Sequence, residues 1–348
     1  MNIVVGINGM TEEKDIRPLV EAGADEFYIG YVPQAWSDKF GWEICPNRRP
    51  YKDYSYRTFE EAKKVCDTVH ALGKKIYLAV NEHEYDSDRM AVALDILRDG
   101  EKIGFDAAIV SNLALMIEAR SAGVDIPFTV SIGGGASSAE AIDFYLENVP
   151  GIKRIILPRS LTMKEIKKIA DEAKGRVALE AFAIGDPCAF NDEYCFSWHS
   201  EGCEMFCAFL LSDPRFVRAP ALEGNWKKRI SSYDGSVSEE RRIIDAAARS
   251  EAGAFGSVAE ACDYEEKDDR SIFLSRVIRM CGLCSLKFFD EWGISAVKVP
   301  ARGGEMRDEV IRMVKKAIDG GLEPAGCRAL IGDPKFCSGR RCYYNYPS

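Results

Sequence analysis

The chain has only three histidines, His70, His83 and His199, and carries neither an H-E-x-x-H pair nor a G-x-S-x-G elbow. No zinc-protease or serine-hydrolase constellation can therefore be assembled from it. Long apolar runs are missing too: none approaches the ~20 residues a membrane helix needs. The opening MNIVVGINGM lacks the basic and apolar regions of a signal peptide. Basic residues are the minority, 46 Lys plus Arg against 55 Asp plus Glu, for a net charge of -9. That balance argues against the broad basic footprint of a general nucleic-acid binder and leaves only a local patch for an RNA partner. No low-complexity tract or long-period repeat is present. These absences read as a soluble, cytoplasmic chain with no membrane partner.

What is present is core-forming material, 47% hydrophobic residues against 29% charged in 348 residues, enough for one large domain or two modest ones. Up to about residue 183, β-rich apolar runs alternate with stretches of helical period. IVVGI precedes TEEKDIRPLVEAG, DEFYIG precedes FEEAKKVCDTVHALG and KIYLAV precedes SDRMAVALDILRDG; DAAIV, FTVSI and RIILP follow the same beat before RVALEAFAI. Strands separated by helices predict a parallel sheet with right-handed crossovers. An eighth strand, SAVKVP at 295–300, lies between helix-like LKFFDEWG and MRDEVIRMVKKAIDGG. No glycine-rich dinucleotide loop follows the first strand, so an α/β fold of the TIM-like (β/α)8 type is expected, with functional groups after strand C-termini. The expected divisions are 1–183 for the first seven βα units and 184–280 for a cysteine-rich insertion after strand seven. Residues 281–322 supply the closing strand and helix, and 323–348 a cysteine-containing tail.

Twelve cysteines are the unusual count. In a reducing compartment they favour metal or redox chemistry over disulfides. Cys188, Cys195, Cys203 and Cys207 follow strand seven at spacings C-x6-C-x7-C-x3-C, a soft all-sulfur set suited to zinc or an iron-sulfur cluster. Cys281, Cys284, Cys327, Cys337 and Cys342 are enough for a second metal site, with plain packing as the alternative. Cys66 and Cys262 stand at helical apolar positions and read as core.

The tract E-x-F-x2-G-x2-C-x6-C, carried by Glu180, Phe182, Gly185, Cys188 and Cys195 and followed by Gly202, Cys203 and Cys207, resembles the pattern of the collagenase-like peptidase U-32 family. EAGADEFYIG, the Arg154, Leu157 and Arg159 segment, and the Lys298 and Arg302 strand resemble it as well, so the likeness covers most of residues 1 to 320. Ser160, Ile184 and Pro300 depart from the family's usual residues. The resemblance implies a short branch similar to the iron-sulfur proteins of oxygen-independent, prephenate-dependent ubiquinone and RNA hydroxylation. From it follow a 4Fe-4S cluster on Cys188, Cys195, Cys203 and Cys207, with Cys45 in CPNRR as an alternate ligand, and a second cluster as an open option. It also implies a small carboxylate such as prephenate as oxygen donor, a paralogous subunit or a homodimer as assembly partner, and an electron donor of unassigned identity.

Two further groups complete the expectation. Gly133, Gly134 and Gly135 in GGGASS lie between a strand and a helix, where backbone N–H groups can cradle a phosphate or carboxylate, although such a run is more often a plain turn. Arg159 and Arg302 follow strands six and eight, where an arginine fork can hold a carboxylate at a barrel mouth. Glu180 falls inside strand seven, where an isolated carboxylate is costly, so an Arg or Lys298 should pair with it. Catalytic roles are expected for Arg159, Glu180, Lys298 and Arg302. The expected function is anaerobic, oxygen-independent hydroxylation, or a related modification, of a small aromatic acceptor or nucleobase. The alternatives are a peptidase and a non-catalytic iron-sulfur subunit.

Overall fold

The computed structural model describes residues 1–42, 45–49, 52–185, 192–195, 280–300, 307–332 and 342–344. In chain order its first half runs β1 (Asn2–Gly6), α1 (Glu13–Ala22), β2 (Glu26–Gly30), α2 (Gln34–Phe40), α3 (Phe59–Ala71), β3 (Lys75–Val80), α4 (Ser87–Ile103), β4 (Ala107–Val110) and α5 (Leu113–Ser121). There follow β5 (Phe128–Val130), α6 (Ala139–Asn148), β6 (Ile152–Ile156), α7 (Met163–Ala173), β7 (Ala178–Phe182) and β8 (Ile184–Gly185). The described C-terminal part has β9 (Met280–Cys281), α8 (Leu286–Glu291), β10 (Ala296–Val299), α9 (Arg307–Asp319) and α10 (Pro324–Ile331).

Eight strands close into a barrel in the order β1-β10-β7-β6-β5-β4-β3-β2. Every neighbouring pair is parallel. This is the TIM-like α/β architecture that the alternation of runs implies, and the final SAVKVP run supplies the closing strand. Because helices cover the outside and side chains fill the inside, the strands are buried along nearly their whole length, which is why they read as continuous apolar runs rather than alternating ones. Five of the helices, α3 to α7, begin where the sequence offers caps. Thr58 with Glu61, and Thr162 with Glu165, form reciprocal capping boxes, and Asp86, Asn112 and Ser138 each accept a first-turn N–H.

The second βα unit is more elaborate than its sequence suggests. Between β2 and α3 the chain inserts α2 and the Cys45–Arg49 loop. α2 is anchored by Trp36, which is fully buried with its ring 6.4 Å from that of Tyr85. The loop then returns over the end of β2, where Gly30 leaves room for it: a Cβ on Gly30 would stand 2.1 Å from Asn47 Nδ2. After β7, the two-residue strands β8 and β9 pair antiparallel, Ile184 opposite Cys281. Among the described residues no helix is long and apolar enough to cross a membrane. Cys188, Cys203, Cys207, Cys262, Arg302 and Cys337 lie outside the described residues.

Candidate functional site

Charge first enters the barrel interior. Glu26, Arg154, Glu180 and Lys298 project from β2, β6, β7 and β10, strands whose other residues are mostly apolar. Arg154 holds Glu26 with a fork, Nη1 to Oε2 at 2.5 Å and Nη2 to Oε1 at 3.0 Å, and its Nη1 also donates to Glu180 Oε2 at 3.1 Å. Lys298 Nζ donates to the other Glu180 oxygen at 2.9 Å. Two anions thus meet two cations with almost no water access. For Glu26, burial raises the carboxyl pKa, but the Arg154 guanidinium, assisted by Asn2 and Tyr77, outweighs burial and brings it below the ordinary range. The pairing expected for Glu180 with Lys298 is present, and Arg154, noted in the sequence only as a motif residue, completes it.

Above this plug, Tyr28 links interior and mouth. Lys298 Nζ lies 4.2 Å from the centre of its ring and the Arg49 guanidinium 5.3 Å, cation–π distances in a dry setting. Its buried hydroxyl has no hydrogen-bond partner, and the same holds for Asn81 Oδ1 after β3. Buried polar atoms of this kind call for a water or ligand atom as partner.

The mouth is built from loops that follow β2, β3, β6 and β7. Arg48 is the one non-glycine residue with a positive φ, 53°, among the described residues. An arginine in this left-handed region is strained, and such strain concentrates at functional sites. Its guanidinium donates to Glu82 Oε1 at 3.3 Å and to Cys195 Sγ at 3.0 Å, tying the loops after β3 and β7 together. Glu82 also accepts the His83 backbone N–H at 2.7 Å, and burial pushes its carboxyl above the ordinary range. His83 is held down to about 4, first by burial and then by the Arg48 cation, with Asp192 acting the other way. It is therefore a neutral imidazole near pH 7. Arg159, after β6, gives its fork to Asp192: Nε donates to Oδ2 at 3.0 Å and Nη2 to Oδ1, while the guanidinium lies 5.1 Å from the centre of the Phe182 ring.

The residues expected from sequence are thus distributed over two layers. Glu180 and Lys298 meet in the interior, whereas Arg159 and Cys195 stand at the mouth. Cys45 is buried in its own loop, where its thiol donates to Asn47 Oδ1 at 3.3 Å and burial pushes it up to about 12. The glycine run forms a tight turn. The Gly134 amide donates to Ser131, the Gly135 amide to Ile132, and the Gly134 carbonyl accepts the Tyr145 hydroxyl, while Gly133 packs against His83 and Gly135 against Glu193. A Cβ on Gly133 would stand 2.4 Å from His83 Cε1, so glycine is what lets this imidazole pack against the turn. Among the described residues no three His, Cys, Asp or Glu side chains form a ready metal-binding group.

Sequence reasoning did not single out Glu26, Arg48, Glu82 or Asp192, and named His83 only among the three histidines. For Glu26 a signal existed, a carboxylate in the middle of an otherwise apolar run. For Arg48 and Asp192 no local pattern marks the partner, because the contacts join loops far apart in the chain.

Residues 12–204, more than half of the chain, match the model of peptidase family U32. The chain is 26% identical over 186 residues to the tRNA hydroxylation protein P2 of Bacillus subtilis (strain 168), a match covering 53% of each chain. It is 27% identical over 186 residues to a collagenase of Porphyromonas gingivalis (strain ATCC BAA-308 / W83), covering 51% of this chain and 40% of that one. The matched stretch thus spans about half or less of the length of these relatives. A solved structure of a U32 peptidase superposes with a TM-score of 0.39 at 16% identity, over 56% of this chain and 74% of that chain. With a family match over most of the first two hundred residues and the barrel that carries it, the chain belongs to peptidase family U32.

Proposed function

We propose that the protein is an iron-sulfur redox enzyme that hydroxylates, or otherwise modifies without oxygen, a small aromatic acceptor or a nucleobase bound at the barrel mouth. The observation that carries this reading is the Arg48 contact to Cys195: a strained arginine donates an N–H to a sulfur at the rim, directly above a closed barrel. Hydrogen bonds from charged donors to cluster sulfurs are a recognised means of setting a cluster's potential. Of the set Cys188, Cys195, Cys203 and Cys207, Cys195 is the one among the described residues, and its position at the rim supports a sulfur-ligated group there. Cys188, Cys203 and Cys207 would supply the remaining thiolates, and Cys45, already bonded within its own loop, is the weaker candidate. Such a cluster supplies one-electron chemistry.

The protein's own residues have separate tasks in this reading. Tyr28 Oη and Asn81 Oδ1 offer unpaired polar atoms to a bound acceptor, and neutral His83 can donate or accept a hydrogen bond beside it. A small carboxylate donor such as prephenate would compete with Asp192 for the Arg159 fork, so that pair would gate anions. The relatives named for tRNA hydroxylation support this reading.

A peptidase reading is favoured by one observation, that Cys195, His83 and Asp192 put a thiol, an imidazole and a carboxylate on the same rim. An imidazole held down to about 4 is a weak base for activating a thiol at neutral pH, which counts against it. Anaerobic purification with iron and sulfide analysis separates the two. A brown protein with matched iron and sulfide is expected; a chain holding no iron, with its cysteines reduced, would overturn the cluster reading.

A further inference from the structure

We propose that Cys281, Cys284, Cys327 and Cys342 form a second thiolate site that binds a thiophilic metal, as a single ion or a small iron-sulfur cluster, and fastens the C-terminal tail to the end of β7. The proposal does not depend on the reading given to the Cys195 rim.

Cysteines from three separate stretches of the chain are joined by a continuous chain of contacts. Cys281 ends β9 and opens a C-x2-C turn, with Leu283–Ser285 in a 3-10 turn that carries Cys284. Cys342 forms a parallel bridge with Cys281, and directly paired residues in a parallel bridge project to the same side. The bridge is held by Tyr343 N–H donating to Cys281 O at 3.1 Å. Cys327, on α10, places its thiol 3.3 Å from Leu283 O, inside the C-x2-C turn, and the Cys284 thiol in turn faces Pro324 O, at the start of α10, at 3.8 Å. Cys342 lies within electrostatic reach of Cys284, and the Arg328 cation acts on both. None of the described cysteines is in a disulfide.

The chemistry of this donor set is specific. A C-x2-C turn with two further thiolates is the arrangement of closed, structural zinc sites and of cluster sites alike. Packing alone does not call for such convergence: Cys66 shows the ordinary case, a single thiol buried in the apolar face of α3. As the side chains stand, the Cys284 and Cys327 thiols bond to backbone carbonyls rather than to a common centre. Metal uptake therefore requires changes of side-chain rotamer, within a backbone that already holds the cysteines together. The gain is mechanical. The Tyr344 hydroxyl accepts from Phe182 N–H at 2.8 Å and donates to Phe182 O at 3.1 Å, so the segment carrying Cys342 covers the end of β7. A metal would lock that cover and α10 to the barrel.

The test uses the full-length protein purified without oxygen. Thiol mapping with iodoacetamide, before and after chelation, should find Cys284 and Cys342 protected in the native protein. Their alkylation should rise on the order of ten-fold or more once the metal is stripped. Cys284→Ser should lose about one equivalent of zinc, or about four of iron with matching sulfide, relative to wild type. The metal lost tells the single ion from the cluster, while Cys195→Ser should keep this second complement. Equal alkylation before and after chelation, or an unchanged metal content in Cys284→Ser, would overturn the proposal; the alkylation arm stands even where the variant folds poorly.

Discussion

Inside the barrel, two carboxylates and two cations are matched nearly atom for atom; at the mouth, charge is also withdrawn from water but is held under tension. Glu26 and Glu180 each accept from Arg154, Lys298 closes the set, and Glu26 is more acidic than an ordinary carboxyl. At the rim the backbone of Arg48 is strained, Glu82 is pushed towards its protonated form, and His83 is kept from protonating. The first arrangement fixes a fold, because each ion is already satisfied. The second has interactions to give to a ligand. On this comparison the interior sets stability and the mouth sets function.

The largest effect that separates them is expected from Arg154→Met, which leaves Glu26 and Glu180 buried with one cation between them. Breaking a buried network in this way costs about 3–5 kcal/mol, read as a lowered urea midpoint. The His83 titration should not change in that variant if the layers are independent, and a shift would merge them. Acid should act on the interior in the same direction. Because the Glu26 carboxyl is lowered in the folded state, its contribution to stability is present at neutral pH and is lost as pH falls through the ordinary carboxylate range.

Next in size is anion binding at the mouth. Arg159→Ala should weaken binding of prephenate or simple dicarboxylates by roughly ten- to a hundred-fold, the worth of one charge-assisted fork, with Arg159→Lys recovering part. Asp192→Asn should act oppositely and strengthen anion binding, because it removes the carboxylate that competes for that fork. Calorimetric titration of the two variants checks both signs. Equal affinity in all three proteins would mean that the pair is only structural.

A smaller effect concerns His83, whose titration by NMR should centre near 4. Arg48→Ala removes a cation facing the ring and should raise that value, while burial keeps it below the ordinary 6.5. The native state resists protonation of this ring and the unfolded chain does not, so stability should fall as pH drops from 6.5 towards 4. The smallest effect is conformational. At φ 53° glycine is at ease where alanine is not, so Arg48→Gly should be more stable than Arg48→Ala by about 1 kcal/mol.

How far the sequence could be read follows the same division. The barrel was legible because strands buried on both faces leave long apolar runs and five of the helices begin at a side-chain cap, and the closing SAVKVP run was visible by its place between two helical stretches. Glu180 and Lys298 were legible as ions inside strands, which must find partners. The same logic applied to Glu26 in DEFYIG and Arg154 in RIILP would have found the whole interior quartet. The mouth was legible only where a motif marked it, at Cys195 and Arg159. Arg48 with Glu82, and Arg159 with Asp192, are pairings that loops make only after the barrel closes. The glycine run was visible, but the Gly134 and Gly135 amides are engaged in its own turn, which spacing alone does not show.

The most direct test of the division between layers is the iron content per chain of anaerobically purified Cys195→Ser, with its thermal midpoint recorded beside it. The account predicts that the iron attached to the mouth is lost while the midpoint stays far closer to wild type than that of Arg154→Met. Full iron retention in Cys195→Ser, or a loss of fold as severe as that of Arg154→Met, would contradict it.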